Sequence, residues 1–336
     1  MHKITLIKGD GIGPSIMEAA VAVIDATGVK IDWREAEAGL SAFEKTGTPL
    51  PEATMESIAE TRLAFKGPLT TMVGEGFRSI NVELRKQYDL YANVRPAKSW
   101  SGVKTRFDDV DIVIVRENTE GLYVGLEHYL TPQKDIAESL AVITRAGSER
   151  IVEYAFKYAI DNNRKKVTVC HKANILKFTQ GLFLKAARAV AEKYPQIEFD
   201  EKIIDAACMH MVMKPEQFDV VVTTNMFGDI LSDLTAGLVG GLGLIPGANI
   251  GENAALFEAV HGSAPDIAGK NIANPTAVMM AGVMMLNHLG EHAAATRMQT
   301  AIEKVVTAGR YVTPDLNPNS TAGTYEMGQA IIQALE

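Results

Sequence analysis

Short apolar runs of strand length alternate with longer stretches of helical period along most of the chain, and this alternation points to an α/β protein. The runs at 4–7, 112–115, 166–170 and 220–224 read as strands, and the stretches at 15–26, 146–162 and 180–193 read as helices. With 336 residues, 47% of them hydrophobic and 22% charged, the chain is long enough for two domains with cores of their own. No Ser/Pro-rich linker, internal repeat or low-complexity block separates two halves. Composition shifts at 96–102 and in the turn-rich stretch 243–251, which marks both as candidate crossings between domains. If both are crossings, one domain is discontinuous.

A net charge of −8 gives no support to a nucleic-acid or anionic-membrane partner, so an anionic substrate must be held by locally placed Arg and Lys. Cys170 and Cys208 lie far apart in sequence, which suits a reducing cytoplasm and excludes a thiolate zinc cluster. A strand-like run begins within a few residues of Met1, leaving no signal-peptide pattern, and the longest apolar stretch, 277–286, is too short to span a bilayer.

Three clusters bear on chemistry. Asp229 and Asp233 stand four residues apart, on one face of a helix, where two carboxylates and a third from elsewhere suit Mg²⁺ or Mn²⁺. Gly228 precedes the pair, while Ile230, Leu231 and Leu234 are expected to make the opposite face apolar. The segment Gly9-Asp10-Gly11-Ile12-Gly13-Pro14 lacks the spacing and the downstream acid of a dinucleotide fingerprint, and reads as a tight strand-to-helix turn. Arg85, Arg95 and Arg116 form the third cluster: planar guanidinium forks bind carboxylates in pairs, so three converging would hold a di- or tricarboxylate in an otherwise acidic protein.

These motifs occur in an ordered series. Besides the glycine turn they include Gly67-Pro68-Leu69-Thr70-Thr71, the segment 78–85, Tyr91-Ala92-Asn93-Val94-Arg95-Pro96, Arg116-Glu117-Asn118-Thr119-Glu120-Gly121-Leu122-Tyr123 and His171-Lys172-Ala173-Asn174. Asp205-Ala206, the segment 225–233, Gly247-Ala248-Asn249-Ile250-Gly251, the segment 261–269 and Asn274-Pro275 complete it. Across essentially its whole length the sequence resembles the decarboxylating β-hydroxyacid dehydrogenases, the family of isocitrate, isopropylmalate and homoisocitrate dehydrogenases. The resemblance implies a two-domain α/β fold whose nucleotide site is not a Rossmann fold. Residues 1–98 plus 248–336 would form a large domain, and 99–247 a small one carrying the dimer interface.

By the same resemblance Asp205, Asp229 and Asp233 are the metal carboxylates, Lys172 is the base for the substrate hydroxyl, and Tyr123 is the acid that protonates carbon after CO₂ leaves. Arg85, Arg95, Arg116 and Asn174 hold substrate, with Ser79 and Asn81 facing its variable substituent. Thr70, Asn225, His261, Gly262, Ser263, Ala264, Asp266, Ile267 and Asn274 line the cofactor site. Lys172 and Asp205 would enter the site of a second copy, which makes a homodimer the functional minimum. Polar side chains at 79 and 81 suit the third carboxylate of isocitrate; an isopropyl group would leave both unpaired, at a cost of several kcal/mol. Homoisocitrate differs by one methylene, worth only about 1–3 kcal/mol, and stays an alternative, as does a non-catalytic regulatory subunit. Asp266 would accept bonds from a ribose 2′-hydroxyl and repel a 2′-phosphate, which selects NAD. The sequence therefore leads to the expectation of an NAD- and Mg²⁺- or Mn²⁺-dependent oxidative decarboxylation of isocitrate.

Overall fold

The computed structural model describes residues 1–70 and 79–335; Thr71, Phe77 and Arg78 of the arginine-rich and flanking motifs lie outside the described residues. Twelve strands are β1 (His2–Ile7), β2 (Ile31–Ala36), β3 (Leu63–Lys66), β4 (Ala92–Lys98), β5 (Asp111–Glu117), β6 (Gly121–Tyr129), β7 (Ala137–Val142), β8 (Lys166–His171), β9 (Glu198–Ile203), β10 (Val220–Thr223), β11 (Pro246–Ile250) and β12 (Ala255–Ala259) among the described residues. The helices are α1 (Gly13–Ala26), α2 (Leu40–Thr46), α3 (Glu52–Thr61), α4 (Ile80–Gln87), α5 (Arg145–Asp161), α6 (Thr179–Ala191), α7 (Ile204–Met213), α8 (Asn225–Leu238), α9 (Thr276–His288), α10 (His292–Ala308) and α11 (Thr324–Ala334). Each helix and strand expected from the sequence is present, with ends moved by one or two residues.

Ten strands make one sheet in the order β2-β1-β3-β12-β11-β4-β5-β10-β8-β9, and β6 and β7 form a separate hairpin. Strands β2, β1, β3 and β12 are mutually parallel, as are β5, β10, β8 and β9. The pairs β12/β11, β11/β4 and β4/β5 are antiparallel, so the two parallel blocks run in opposite directions. Strands from the first 98 residues and from 246–259 fill one end of the sheet, and those from 111–223 fill the other.

Both composition shifts fall on this central joint, and each contains strand as well as turn. Pro96 lies inside β4, where β11 pairs only with residues 92–94, so its missing N–H breaks no ladder on that side. The stretch 243–251 holds β11, and Gly251 is there because a Cβ would stand 2.7 Å from the Asp89 carbonyl oxygen.

Local signals set several helix starts. Pro14 occupies the first turn of α1, where its missing N–H costs nothing, and the Thr144 side chain caps α5 by accepting from the Gly147 N–H at 2.9 Å. The apolar stretch 277–286 becomes α9, buried on nearly all sides as the central helix of a core. No helix among the described residues is long and apolar enough to cross a membrane.

The two faces of the sheet differ. On one, a continuous core runs from Ile4 and Phe65 through Val94, Val115 and Phe257 to Phe156 and Val169, under α1, α5, α6 and α9 to α11. On the other the core is split. Ile58, Ala64, Ile80 and Leu84 gather beneath α3 and α4, while Ile114, Met211, Val221 and Leu231 gather beneath α7 and α8. Side chains alternate along a strand. Since Phe65, Val94, Val115, Ala248 and Phe257 all face the continuous core, their neighbours Lys66, Asn93, Arg95, Arg116, Asn249 and Glu258 must face the gap between the split cores.

Candidate active site

The helix after β10 approaches this gap closely. A Cβ on Gly228 would stand 2.5 Å from Cγ of Arg116, so only glycine lets that arginine lie along α8. Asn225, on the first turn of α8, accepts from Arg116 Nε at 3.0 Å and from Nη2 at 2.7 Å through its Oδ1. The remaining guanidinium nitrogen, Nη1, donates to Oδ1 of Asp229. Arg95 Nη1 donates to the same oxygen at 3.3 Å and to Ser232 Oγ at 2.6 Å. The Tyr123 hydroxyl, brought in on β6, donates to Asp229 Oδ2 at 2.6 Å, and its ring lies 5.1 Å from the Arg116 guanidinium carbon.

Charge is unbalanced here. Burial, then repulsion from Arg85 and Arg95, presses Arg116 below its ordinary value, and burial followed by Arg85 does the same to Arg95. Against the upward push of burial, Arg116, the Tyr123 hydrogen bond, Arg95 and Arg85 together hold the Asp229 carboxyl below the usual range. Asp233 moves the other way: burial raises it, and Arg95 is 3.9 Å off. Burial and the bond to Asp229 raise the Tyr123 phenol, which stays protonated at neutral pH. Arg95 Nε and Asn81 Oδ1 are buried without a partner among the described residues. Buried cations in excess, with unpaired polar atoms beside them, fit a ligand carrying several negative charges.

A second network, absent from the sequence reading, supports the floor. Lys66 Nζ lies 2.7 Å from Glu258 Oε2, with both side chains buried. The other Glu258 oxygen accepts from Asn249 Nδ2 at 2.8 Å and is 3.6 Å from Arg85. Asn249 Oδ1 collects Arg85 Nε, Asn93 Nδ2 and Asn118 Nδ2 at 3.2, 2.9 and 3.0 Å. Its only sequence signal is a charged residue at an inward position of two otherwise apolar strands. Burial pushes Glu258 up, but Lys66 and Arg85 outweigh it and bring the carboxyl to about 2.

Lys172 and Asp205 come together at a different place. They follow β8 and begin α7, and Lys172 Nζ donates to Asp205 Oδ1 at 2.6 Å on the surface. Asn174 is exposed in the turn beyond Lys172. Among the described residues of one chain, no three His, Cys, Asp or Glu side chains could hold a metal together: Asp229 and Asp233 both lie within 4 Å of Arg95 Nη1, whereas Asp205 pairs with Lys172. Ile230, expected on an apolar buried face, is 53% exposed; only Leu231 of the residues expected there is fully buried.

Several of the expected cofactor residues gather elsewhere, beside the glycine turn that follows β1. A cavity of about 360 Å³ is lined by Ile12, His261, Gly262, Ala264, Ile267 and Asn274, among others. His261 Nδ1 donates to the Gly262 carbonyl at 3.0 Å; its Nε2 is buried without a partner among the described residues, and burial lowers its pKa. Ala264 adopts φ of 37°, a strained value for a residue with a Cβ. Asp266 is exposed at the start of the short turn that follows. Ser263 and Thr70 share a 2.8 Å hydroxyl contact, and Asn274 donates to Asp315 at 3.0 Å. Thr70, Asn225, Ser263 and Asp266 are absent from the cavity wall; Asn225 holds Arg116. The glycine turn is a strand-to-helix turn pressed against these loops. A Cβ on Gly11 would stand 2.0 Å from the Ser263 carbonyl oxygen, and Asp10 accepts from the N–H groups of Leu40, Ser41 and Thr70 at 3.0, 3.1 and 2.8 Å.

Comparison with known proteins agrees with this architecture. The family model for isocitrate/isopropylmalate dehydrogenase matches residues 3–331. A mitochondrial isocitrate dehydrogenase [NAD] catalytic subunit 5 of Arabidopsis thaliana is 51% identical over 98% of this chain and 88% of its own length. A chloroplastic 3-isopropylmalate dehydrogenase of Solanum tuberosum is 51% identical over 91% of this chain and 85% of its own. The crystal structure of isocitrate dehydrogenase from Methylococcus capsulatus superposes with a TM-score of 0.98 at 63% identity, covering 100% of this chain and 99% of that one. The chain is therefore a member of the isocitrate/isopropylmalate dehydrogenase family.

Proposed function

We propose that this dehydrogenase oxidises isocitrate to 2-oxoglutarate and CO₂ with NAD. The observation that carries the reading is the polar end of the arginine cluster. Asn81 and Arg85 lie one turn apart on α4, Ser79 stands at its N-terminus, and Asn81 Oδ1 is buried and unpaired among the described residues. An isopropyl group there would leave buried polar atoms unsatisfied, whereas a third carboxylate extends the charge that Arg85, Arg95 and Arg116 already call for. Equal identity to an isopropylmalate dehydrogenase makes that acid the second reading. Assay of the purified chain with isocitrate, homoisocitrate and isopropylmalate, each with NAD⁺ and NADP⁺, is expected to give the highest kcat/KM for isocitrate with NAD⁺. A preference for isopropylmalate would reject the assignment.

Asp229 and Asp233, joined by Asp205 of a second copy, would hold Mg²⁺ or Mn²⁺, which when bound withdraws electron density from the substrate's hydroxyl and carboxylate. Arg95 and Arg116 orient the substrate carboxylates while compensating Asp229. Lys172 of the second copy accepts the hydroxyl proton, and Tyr123, neutral and beside Asp229, delivers a proton to carbon after CO₂ departs. Exposed apolar side chains support the shared site. Leu126, Tyr129, Leu130, Ile136 and Leu140 on the β6/β7 hairpin and Phe178 near Lys172 are all at least half exposed, more than an isolated surface needs. We assign them to a homodimer interface on a small domain spanning 99–247, the remainder forming the large domain. Asp229→Asn is expected to raise the Mg²⁺ concentration for half-maximal activity, because a neutral amide replaces one ligand charge; unchanged dependence at full kcat would remove Asp229 from the metal.

The cavity beside His261 fits an adenosine group, with apolar walls at Ile12 and Ile267 and an unpaired buried imidazole nitrogen; bound there, NAD would accept the hydride. Asp266 would then accept from the ribose 2′-hydroxyl and repel a 2′-phosphate. Asp266→Lys combined with Ile267→Tyr should lower kcat/KM for NAD⁺ and raise it for NADP⁺. If the ratio does not move, discrimination lies elsewhere in the cavity.

A further inference from the structure

A second cavity lies on the opposite face of the sheet from the arginine cluster. It measures about 500 Å³, well within the range of small-molecule sites. Its floor includes Val94, Ala248 and Phe257. These are the chain neighbours of Arg95, Asn249 and Glu258, whose side chains point through the sheet to the polar site. The walls come from α5 at one end of the sheet and α9 and α10 at the other, so the cavity bridges the two ends behind the central joint.

Its chemistry is specific. Tyr154, Tyr158, Trp100, Met280, Met284 and His288 line it, offering flat aromatic and polarisable thioether surfaces. The hydroxyls of Tyr154 and Tyr158 and the indole N–H of Trp100 have no hydrogen-bond partner among the described residues. Among the charged groups in the wall, Arg164 pairs with Asp111 and Asp219, while Glu303 accepts from the neutral Gln299 amide. Lys98 is exposed to solvent. The remaining charges of the wall, Lys98 and Glu303, are of opposite sign, so the flat apolar surfaces and unpartnered donors favour a planar, uncharged ring system that carries acceptors.

We propose that this cavity is a binding site for an uncharged, planar, bicyclic heteroaromatic molecule, and that its occupancy is coupled through β4, β11 and β12 to the substrate site on the opposite face. The ligand packs against the reverse side of the strands that carry Arg95, Asn249 and Glu258. Any shift of those strands on filling the cavity therefore changes the spacing of the groups that hold substrate, and coupling of this kind is reciprocal.

Calorimetric titration of the intact protein with coumarin, quinoxaline and 1,8-naphthyridine tests the site. At least one is expected to bind with one-to-one stoichiometry below millimolar concentration. Tyr154→Phe with Tyr158→Phe keeps the rings and removes the donors, and should weaken binding about tenfold, the equivalent of 1.4 kcal/mol. Met284→Trp fills the cavity and should abolish binding, and its substrate KM without ligand is the baseline for its own titration. The bound compound should shift substrate KM at least twofold in the wild type and not in Met284→Trp. This arm uses whichever acid the substrate assay shows to be turned over, so failure of the isocitrate assignment leaves it intact. Failure of all three compounds to bind, or binding undiminished in both variants, would overturn the site; binding without a change in KM would overturn the coupling.

Discussion

Glu258→Leu is expected to cost about 3–5 kcal/mol of folding stability, the usual effect of stranding one member of a buried ion pair. Lys66 would lose its carboxylate partner in a site 1% exposed, and Arg85 and Asn249 would lose an acceptor at the same time. Denaturant unfolding measures the loss. The double variant Lys66→Met/Glu258→Leu should recover most of it, since a well-packed apolar pair often replaces an ionic one without penalty. A single variant within about 0.5 kcal/mol of wild type, the range of ordinary surface changes, would mean that the pair contributes nothing. The pH dependence follows. The folded carboxyl titrates near 2 against an ordinary 4.5, so its contribution is fully present above 4.5 and is lost as pH falls towards about 2. Glu258→Gln should flatten the stability profile across that acid window and leave it unchanged above it.

Tyr123→Phe should lower kcat by about 10²–10⁴-fold with little change in KM, the range ascribed to a positioned general acid. Phenylalanine keeps the ring near the Arg116 guanidinium and removes only the hydroxyl that donates to Asp229. The expected effect is the same for isocitrate and for isopropylmalate, because both acids pass through protonation of a carbon after CO₂ loss. Steady-state kinetics that show kcat within about threefold of wild type would assign the proton to another donor. Loss of the hydrogen bond also removes one of the influences holding the Asp229 carboxyl down, so any remaining activity should fall off at a higher pH on its acid side.

How far the sequence leads can be seen in particular residues. Strand and helix positions follow from period alone, because β5 and β10 are continuous apolar runs and α1 starts at a Gly-Pro step. The Asp229/Asp233 pair and the arginine cluster were legible for a similar reason: helical spacing is local, and guanidinium chemistry is specific. What was hidden depends on distant pairing. Nothing near Lys66 indicates that Glu258 lies across from it, since β12 enters beside β3 only after the chain has completed the other end of the sheet. The two bonds from Arg116 to Asn225 are hidden for the same reason, being fixed by the close passage of α8 over β5 that Gly228 permits. Pro96 and the glycines of 243–251 marked a change in composition but not the strands β4 and β11 that hold them, because composition does not report which strand edge is left unpaired.

The sheet order carries a consequence for synthesis on the ribosome. β3 and β4 are consecutive strands in that part of the chain, yet β12 and β11 separate them in the finished sheet. Until residues 246–259 have emerged, a nascent chain therefore has a gap two strands wide, with β3 and β4 each presenting an unsatisfied edge. Those edges can pair with each other or with a neighbouring chain, which makes this gap the place where misassembly starts and where a holding chaperone has most to protect. Completion depends on the most non-local strand contacts in the molecule, so insertion of the β11/β12 hairpin is the step that sets the pace of folding.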